Sequence, residues 1–237
     1  MHIALISQST LVSNADAKTM ADACQKQLTD HFLPAWNMKE GFCAFYPDKS
    51  VIPANYWIVN LLDSPTQAGA LGYHSVDNDE VDAFIFAQPV LSNGGVVLYD
   101  PSNPQNVSVA SVCSHEICEM LSDIYANTYC DFGNKSIALE ACDPVQGNSY
   151  VINVNGQNVS VSDFVYLSYF DPEATAQDMP FNHLNTLTAP FSMAPGGYMI
   201  VRGSGPGSET QVFGDAIPEW VKETKKTAFA RFALRTK

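Results

Sequence analysis

Apolar and polar positions alternate along this chain in two rhythms that change several times. A short apolar run at residues 3–7 predicts a strand. A helical pattern follows: Asn14 or Asp16 can cap it, and Met20, Cys24, Leu28, His31 and Phe32 recur at helical spacing until Pro34 stops it. Strand-like runs come next at 41–46, 56–62, 70–76 and 83–89, separated by Pro, Asp, Asn and Gly turn signals. After the breaker-rich "YDPSNPQ" a second helix is predicted over 107–126. Beyond Cys130 the character shifts to short β pieces and loops, including "SYVINVNG", "QNVSVSDFVYL" and "GGYMIVRGSG", with "VNGQ" as a hairpin turn. There are no internal repeats. This order predicts an α+β protein with a soft boundary near residue 130 and its site between the two halves.

The second helix carries "SHEICEMLSD", residues 114–123. Positions four apart lie on one helix face, so His115 and Glu119 can chelate a single ion with Glu116 beside them. Ser108, Ser111, His115, Glu119, Ser122 and Ala126 share that face, while Val109, Cys113, Ile117, Met120 and Ile124 take the opposite one. The first face is polar but small, which leaves room for an ion and a substrate. A zinc-hydrolase logic follows: three protein ligands leave a coordination position open, the ion activates a water, and Glu116 accepts the water's proton. A carboxylate at 119 in place of a second imidazole weakens the ion as a Lewis acid and also suits manganese or calcium. For the third ligand, "ALEACDPV" offers Glu140 and Asp143, with Glu140 preferred. Asp123 lies about 80° round the helix from His115, a place suited to orienting a ligand or serving as an alternative one. His74, His183 and Tyr198 are candidates to donate a hydrogen bond to a developing oxyanion.

Composition narrows the partners. The 237 residues carry a net charge of -13, but six of the twelve basic residues fall at 222–237. A body this acidic repels phosphate backbones and argues against general nucleic-acid binding. The tail "KKTAFARFALRTK" interleaves basic and apolar residues, as a segment docking on an acidic surface or a neighbouring chain would. No apolar run is long enough for a membrane span, and "MHIALISQST" lacks the plan of a secretory signal peptide. The six cysteines form no CxxC pair. Cys130 and Cys142 flank the turn-like "DFGNKS", a placement that would let them face each other across a hairpin, as a disulfide only in an oxidising compartment.

"SHEICEMLSD", "LEACDPV", "SYVINVNGQNVSVSDFVYLSYFDP" and "PGGYMIV", together with "QLTDHFLPAW" and "AGALGYHS", resemble a family of uncharacterised proteins of tailed bacteriophages and prophages. A more distant similarity is to the exordium, or phosphate-induced, proteins of plants, which share the His-Glu-x-x-Glu helix and an acidic-x-Cys segment. The resemblance implies a zincin-like fold, with a twisted mixed sheet under the motif helix and "ALGYHS" as an edge strand able to pair with an extended peptide. It implies a zinc metallopeptidase-like protein found in the virion or the host cytoplasm, acting on a peptide or protein substrate or alongside other virion proteins. An accessory head or tail subunit keeping the scaffold with a structural or inactive metal site is the alternative. Carried over by motif, His115 and Glu119 are ligands, Glu116 the base, and Glu140 the third ligand because it stands two before Cys142. The expected organisation is 1–130 ending in the motif helix, 131–220 completing the site, and 221–237 a basic tail. One departure is that Ile124 follows Asp123 where relatives have proline, which bears on where the helix ends.

Overall fold

The computed structural model describes residues 1–214 except 68, 78–79, 133–134, 178 and 204–208. The basic tail at 221–237 lies outside the described residues. The protein is a mixed α+β structure, with three sheets among the described residues. The largest sheet joins β1 (His2–Ser7), β2 (Phe42–Tyr46), β3 (Trp57–Leu62), β4 (Gly72–Asp77) and β5 (Glu80–Phe86) in the order β2-β1-β3-β5-β4. The first four strands in that order run parallel, and β4 lies antiparallel to β5 at the edge.

Strand periodicity decides which face is covered. Ile3, Leu5, Val59, Leu61, Ala83 and Ile85 alternate to one side and are fully buried. On the other side Ile58, Leu62 and Phe84 stay partly exposed. The buried side is covered by α1 (Asn14–Gln27) and by the motif helix; a short helix, α2 (Leu33–Ala35), and another, α3 (Ala87–Ser92), flank them, the motif helix being α4 (Val109–Ser122). The cap of α1 is Ser13, whose hydroxyl accepts from the Asp16 amide, rather than Asn14 or Asp16. Pro34 does not stop the helix. A π turn at Leu28–Phe32 carries the chain into α2, and the break falls at Trp36 and Asn37, the latter at φ 53°. The run predicted as strand to residue 89 ends instead at Phe86, and Pro89 falls inside the first turn of α3, where its missing amide is harmless.

α4 is shorter than the predicted 107–126. Its start is set by a capping box in which Ser108 and Ser111 exchange side-chain-to-backbone bonds of 2.9 and 3.0 Å. At its end Asp123 leaves helical geometry, and its Oδ1 accepts from the amides of Asn127 and Thr128. Two of the small polar residues on the motif face, Ser108 and Ser111, are therefore consumed by the cap.

The chain downstream of residue 130 packs back on both helices. β8 (Ser149–Val154) and β9 (Gln157–Ser162) form a hairpin whose turn residues, Asn155 and Gly156, both take positive φ, as the "VNGQ" turn requires. Ile152, Val159, Val161 and Phe164 join the same buried cluster as the sheet, α1 and α4. Specific bonds pin this junction: Ser114 Oγ accepts from Ser162 N at 2.7 Å, Gln27 Nε2 donates to Ser162 O at 2.8 Å, and Trp36 Nε1 donates to Val165 O at 3.0 Å. The third sheet is antiparallel, from β6 (Tyr129–Phe132), β7 (Lys135–Ala138), β10 (Tyr198–Arg202) and β11 (Glu209–Phe213), in the order β11-β10-β7-β6. Within it Cys130 faces Ile137 across the β6–β7 hairpin, not Cys142; all six cysteines are free thiols, and Cys142 is buried. No helix among the described residues is long and apolar enough to cross a membrane.

Candidate metal centre

Three elements meet at one buried polar cluster. α4 supplies His115, Glu116 and Glu119, the edge strand β4 supplies His74, and the connection from β7 to β8 supplies Glu140 and Asp143. Glu119 is wholly buried and held at a fixed angle, because its Oε1 accepts from the amides of Cys142 (3.3 Å) and Asp143 (3.2 Å). Those amides open a 3₁₀ turn, Asp143–Val145, so the loop that presents Asp143 also locks the helix carboxylate.

Glycines set the clearances. A Cβ at Gly72 would stand 2.9 Å from both Glu116 Oε1 and Val112 Cγ1, so the strand reaches the motif helix only without a side chain there. On the far side, the Pro144 carbonyl accepts from Ala194 N at 2.9 Å and occupies the space a Cβ on Gly197 would need. The "PGGY" segment thus presses directly on the turn that carries Asp143.

His115 Nε2 lies 3.1 Å from Glu119 Oε1 and 3.3 Å from Asp143 Oδ1. His74 Nδ1 lies 3.5 Å from Glu116 Oε2 and 3.8 Å from Glu119 Oε2, and His74 Nε2 is 3.9 Å from Glu140 Oε2. The donors fall into two groups, His115–Glu119–Asp143 and His74–Glu119–Glu140, each with its ligand atoms within 4.8 Å of one another. Either group can hold a metal ion. Two donors about 2.1 Å from one ion are separated by about 3.0 Å in octahedral and about 3.4 Å in tetrahedral geometry. The separations around His115 lie between these values.

His74 Nε2 and Glu119 Oε2 are buried without a hydrogen-bond partner, and leaving buried polar atoms so is expensive unless an ion or water satisfies them. The charges respond to each other. Burial works to lower the pKa of His115, but Glu119 and Asp143 outweigh it and hold the imidazole's pKa well above its ordinary value. Burial and the charge of Asp143 push the Glu119 carboxyl upward, against the pull of His115.

The other candidates lie elsewhere. Asp123 belongs to neither donor group and closes the turn after α4. His183 packs in an aromatic cluster with His31, Tyr150, Phe164 and Tyr166, where burial lowers its pKa to about 4. Tyr198 is buried in β10 beside Ala138 and Ile200. Neither is positioned by these contacts as an oxyanion donor. Of the anticipated ligands, His115 and Glu119 converge, with Asp143 rather than Glu140 completing their group. Glu140 sits across Glu119 with His74, whose place in a donor group sequence reasoning missed. Its one signal was the pair Gly72 and His74, two apart on a strand and so on one face.

No family model, curated protein or solved structure matches this chain.

Proposed function

We propose that this protein is a zincin-type metal-dependent hydrolase that cleaves an amide bond in a peptide. The observation that carries the reading is the convergence of His115, Glu119 and Asp143, with Glu116 next to His115 on the same helix, beside an antiparallel edge strand. The mixed sheet with the motif helix packed across it supports the zincin assignment, and the place of β4 at the sheet edge among the described residues suits an extended peptide adding as a further strand. A divalent ion bound by His115, Glu119 and Asp143 supplies acidification of a water and polarisation of a carbonyl; zinc fits the mixed imidazole and carboxylate donors, as does manganese.

The chain's own groups handle the proton. Glu116, next to His115 on the helix and 3.5 Å from His74 Nδ1, is the base. It takes a proton from the attacking water as the oxygen adds to the carbonyl carbon. The same proton passes to the amide nitrogen as the C–N bond breaks, giving a carboxylic acid and an amine. Glu119 keeps the ion's position fixed through its bonds to the amides of Cys142 and Asp143. A bacteriophage or prophage origin and a place in or beside the virion are part of this reading, supported by the motif resemblance alone.

The test is to load purified protein with zinc or manganese chloride, remove the excess, and measure bound metal and cleavage of unfolded protein substrates. Glu116→Gln should retain the metal and lose at least about 100-fold in rate. Protein that takes up no metal, or a Glu116→Gln variant as active as the parent, would overturn the proposal.

A further inference from the structure

The donor set is larger than one ion needs, and its division into two groups has a chemical meaning. Among the described residues no group of three includes both imidazoles; each imidazole forms a group with Glu119 and one further acid. The two groups also engage different oxygens of Glu119. His115 Nε2 is nearest Oε1, whereas His74 faces Oε2. We propose that the site binds two divalent cations bridged by the Glu119 carboxylate, one held with His115 and Asp143, the other with His74 and Glu140. This rests on the metal-hydrolase reading above and extends it.

Two observations on His74 point to an ion rather than to a hydrogen-bond network. Its side chain is 3% exposed, yet its Nε2 has no hydrogen-bond partner. Its separations from Glu116, Glu119 and Glu140, 3.5 to 3.9 Å, are too long for hydrogen bonds. One ring nitrogen of His74 and one oxygen each of Glu119 and Glu140 lie within 4.8 Å of one another, a spread that suits donors around one cation, where opposed ligands reach about 4.2 Å. Glu119 Oε2 is likewise fully buried without a hydrogen-bond partner, and faces His74 Nδ1 at 3.8 Å. Oε1 accepts from the two amides and lies 3.1 Å from His115 Nε2, so Oε2 is the oxygen left to face the His74 group. A carboxylate that turns one oxygen to each of two donor groups is the geometry of a bridge, which holds ions about 3.5–4 Å apart. Such a pair would stabilise both the attacking oxygen and the oxygen developing on the substrate. It would also make up for the weakened Lewis acidity that a carboxylate at 119 imposes.

Metal content and manganese spectroscopy decide the matter on the full chain. Protein saturated with manganese chloride and desalted should hold two equivalents, and its electron paramagnetic resonance signal should show exchange coupling between paired ions. His74→Gln and Glu140→Gln should each hold one equivalent and give an uncoupled signal, with His115 still engaged. One equivalent in the parent protein would overturn the second ion and leave the single-ion hydrolase standing; none would remove both. Two equivalents in the parent that persist in both variants would place the second ion elsewhere and also overturn the proposal. Should one variant fail to fold, the other variant and the parent's coupling signal still give the answer.

Discussion

Replacing Gly72 by alanine tests whether the edge strand and the motif helix touch as described. The added Cβ would stand 2.9 Å from Val112 Cγ1 and from Glu116 Oε1. Carbon atoms pack at about 3.5–4.0 Å, so strand and helix must part by roughly 0.6 Å or more. Overpacking of this size costs about 1–3 kcal/mol. For a chain of this length that corresponds to a fall in Tm of about 2–12 °C. The second contact makes the effect selective, because the atom displaced is on the proposed base. Displacements approaching 1 Å at a reacting group cost up to about 100-fold in rate, so a loss of about 10- to 100-fold is expected here. The ion of the His115 group should stay, because neither Gly72 nor Glu116 is among its donors. Thermal denaturation, bound manganese and peptide hydrolysis, measured side by side on the parent and Gly72→Ala, give the three readouts. A variant with unchanged Tm and unchanged rate would show that β4 does not approach α4 this closely, and with it would go the placement of His74.

Chelation should destabilise the protein. A ligand present at 100 times its Kd stabilises by about 2.7 kcal/mol, so stripping the metal should lower Tm by at least about 5 °C, and an unchanged melt after verified metal removal would contradict a bound ion. Gly197→Ala should push the Pro144 carbonyl and move Asp143, lowering metal affinity with Gly72-side contacts intact; metal titration of the variant checks it. His183 predicts an acid-sensitive limb. Its folded-state pKa of about 4 lies below its ordinary 6.5, so the unfolded chain takes up the proton first and stability falls as pH drops from 6.5 towards 4. The full shift corresponds to about 3.4 kcal/mol, which solvent screening of a half-exposed ring reduces to about 1–2 kcal/mol. Urea denaturation at pH 7 and pH 4.5 should show this loss in the parent and less of it in His183→Gln; equal losses in both would refute the assignment.

Much of this architecture could be read before any coordinates. The helical spacing of Met20, Cys24 and Leu28, the 114–123 motif and the Asn155–Gly156 turn are local signals, and local signals are what a sequence states directly. His115 and Glu119 were legible for the same reason, since four residues on a helix fix their relation. The choice between Glu140 and Asp143 was not. It depends on how the turn at Cys142 wraps its amides onto Glu119, a contact made across 23 and 24 residues. His74 was harder still, because a lone histidine on a strand has no spacing rule, and its neighbours come from elements 42 to 66 residues further on. Pro89 misled in the other direction: the apolar run through Phe86 continues smoothly into α3, and nothing local separates the end of one from the start of the other.

The amides of Cys142 and Asp143 that grip Glu119 carry one more implication, for the order of events as the chain is made. The motif helix leaves the ribosome well before the turn that completes its coordination sphere. Until residues 140–143 emerge and fold back, each donor group lacks its third member, Asp143 in one and Glu140 in the other. Metallation at the proposed site would therefore be a closing step of biogenesis, and a nascent chain halted before residue 140 should leave zinc or manganese in solution.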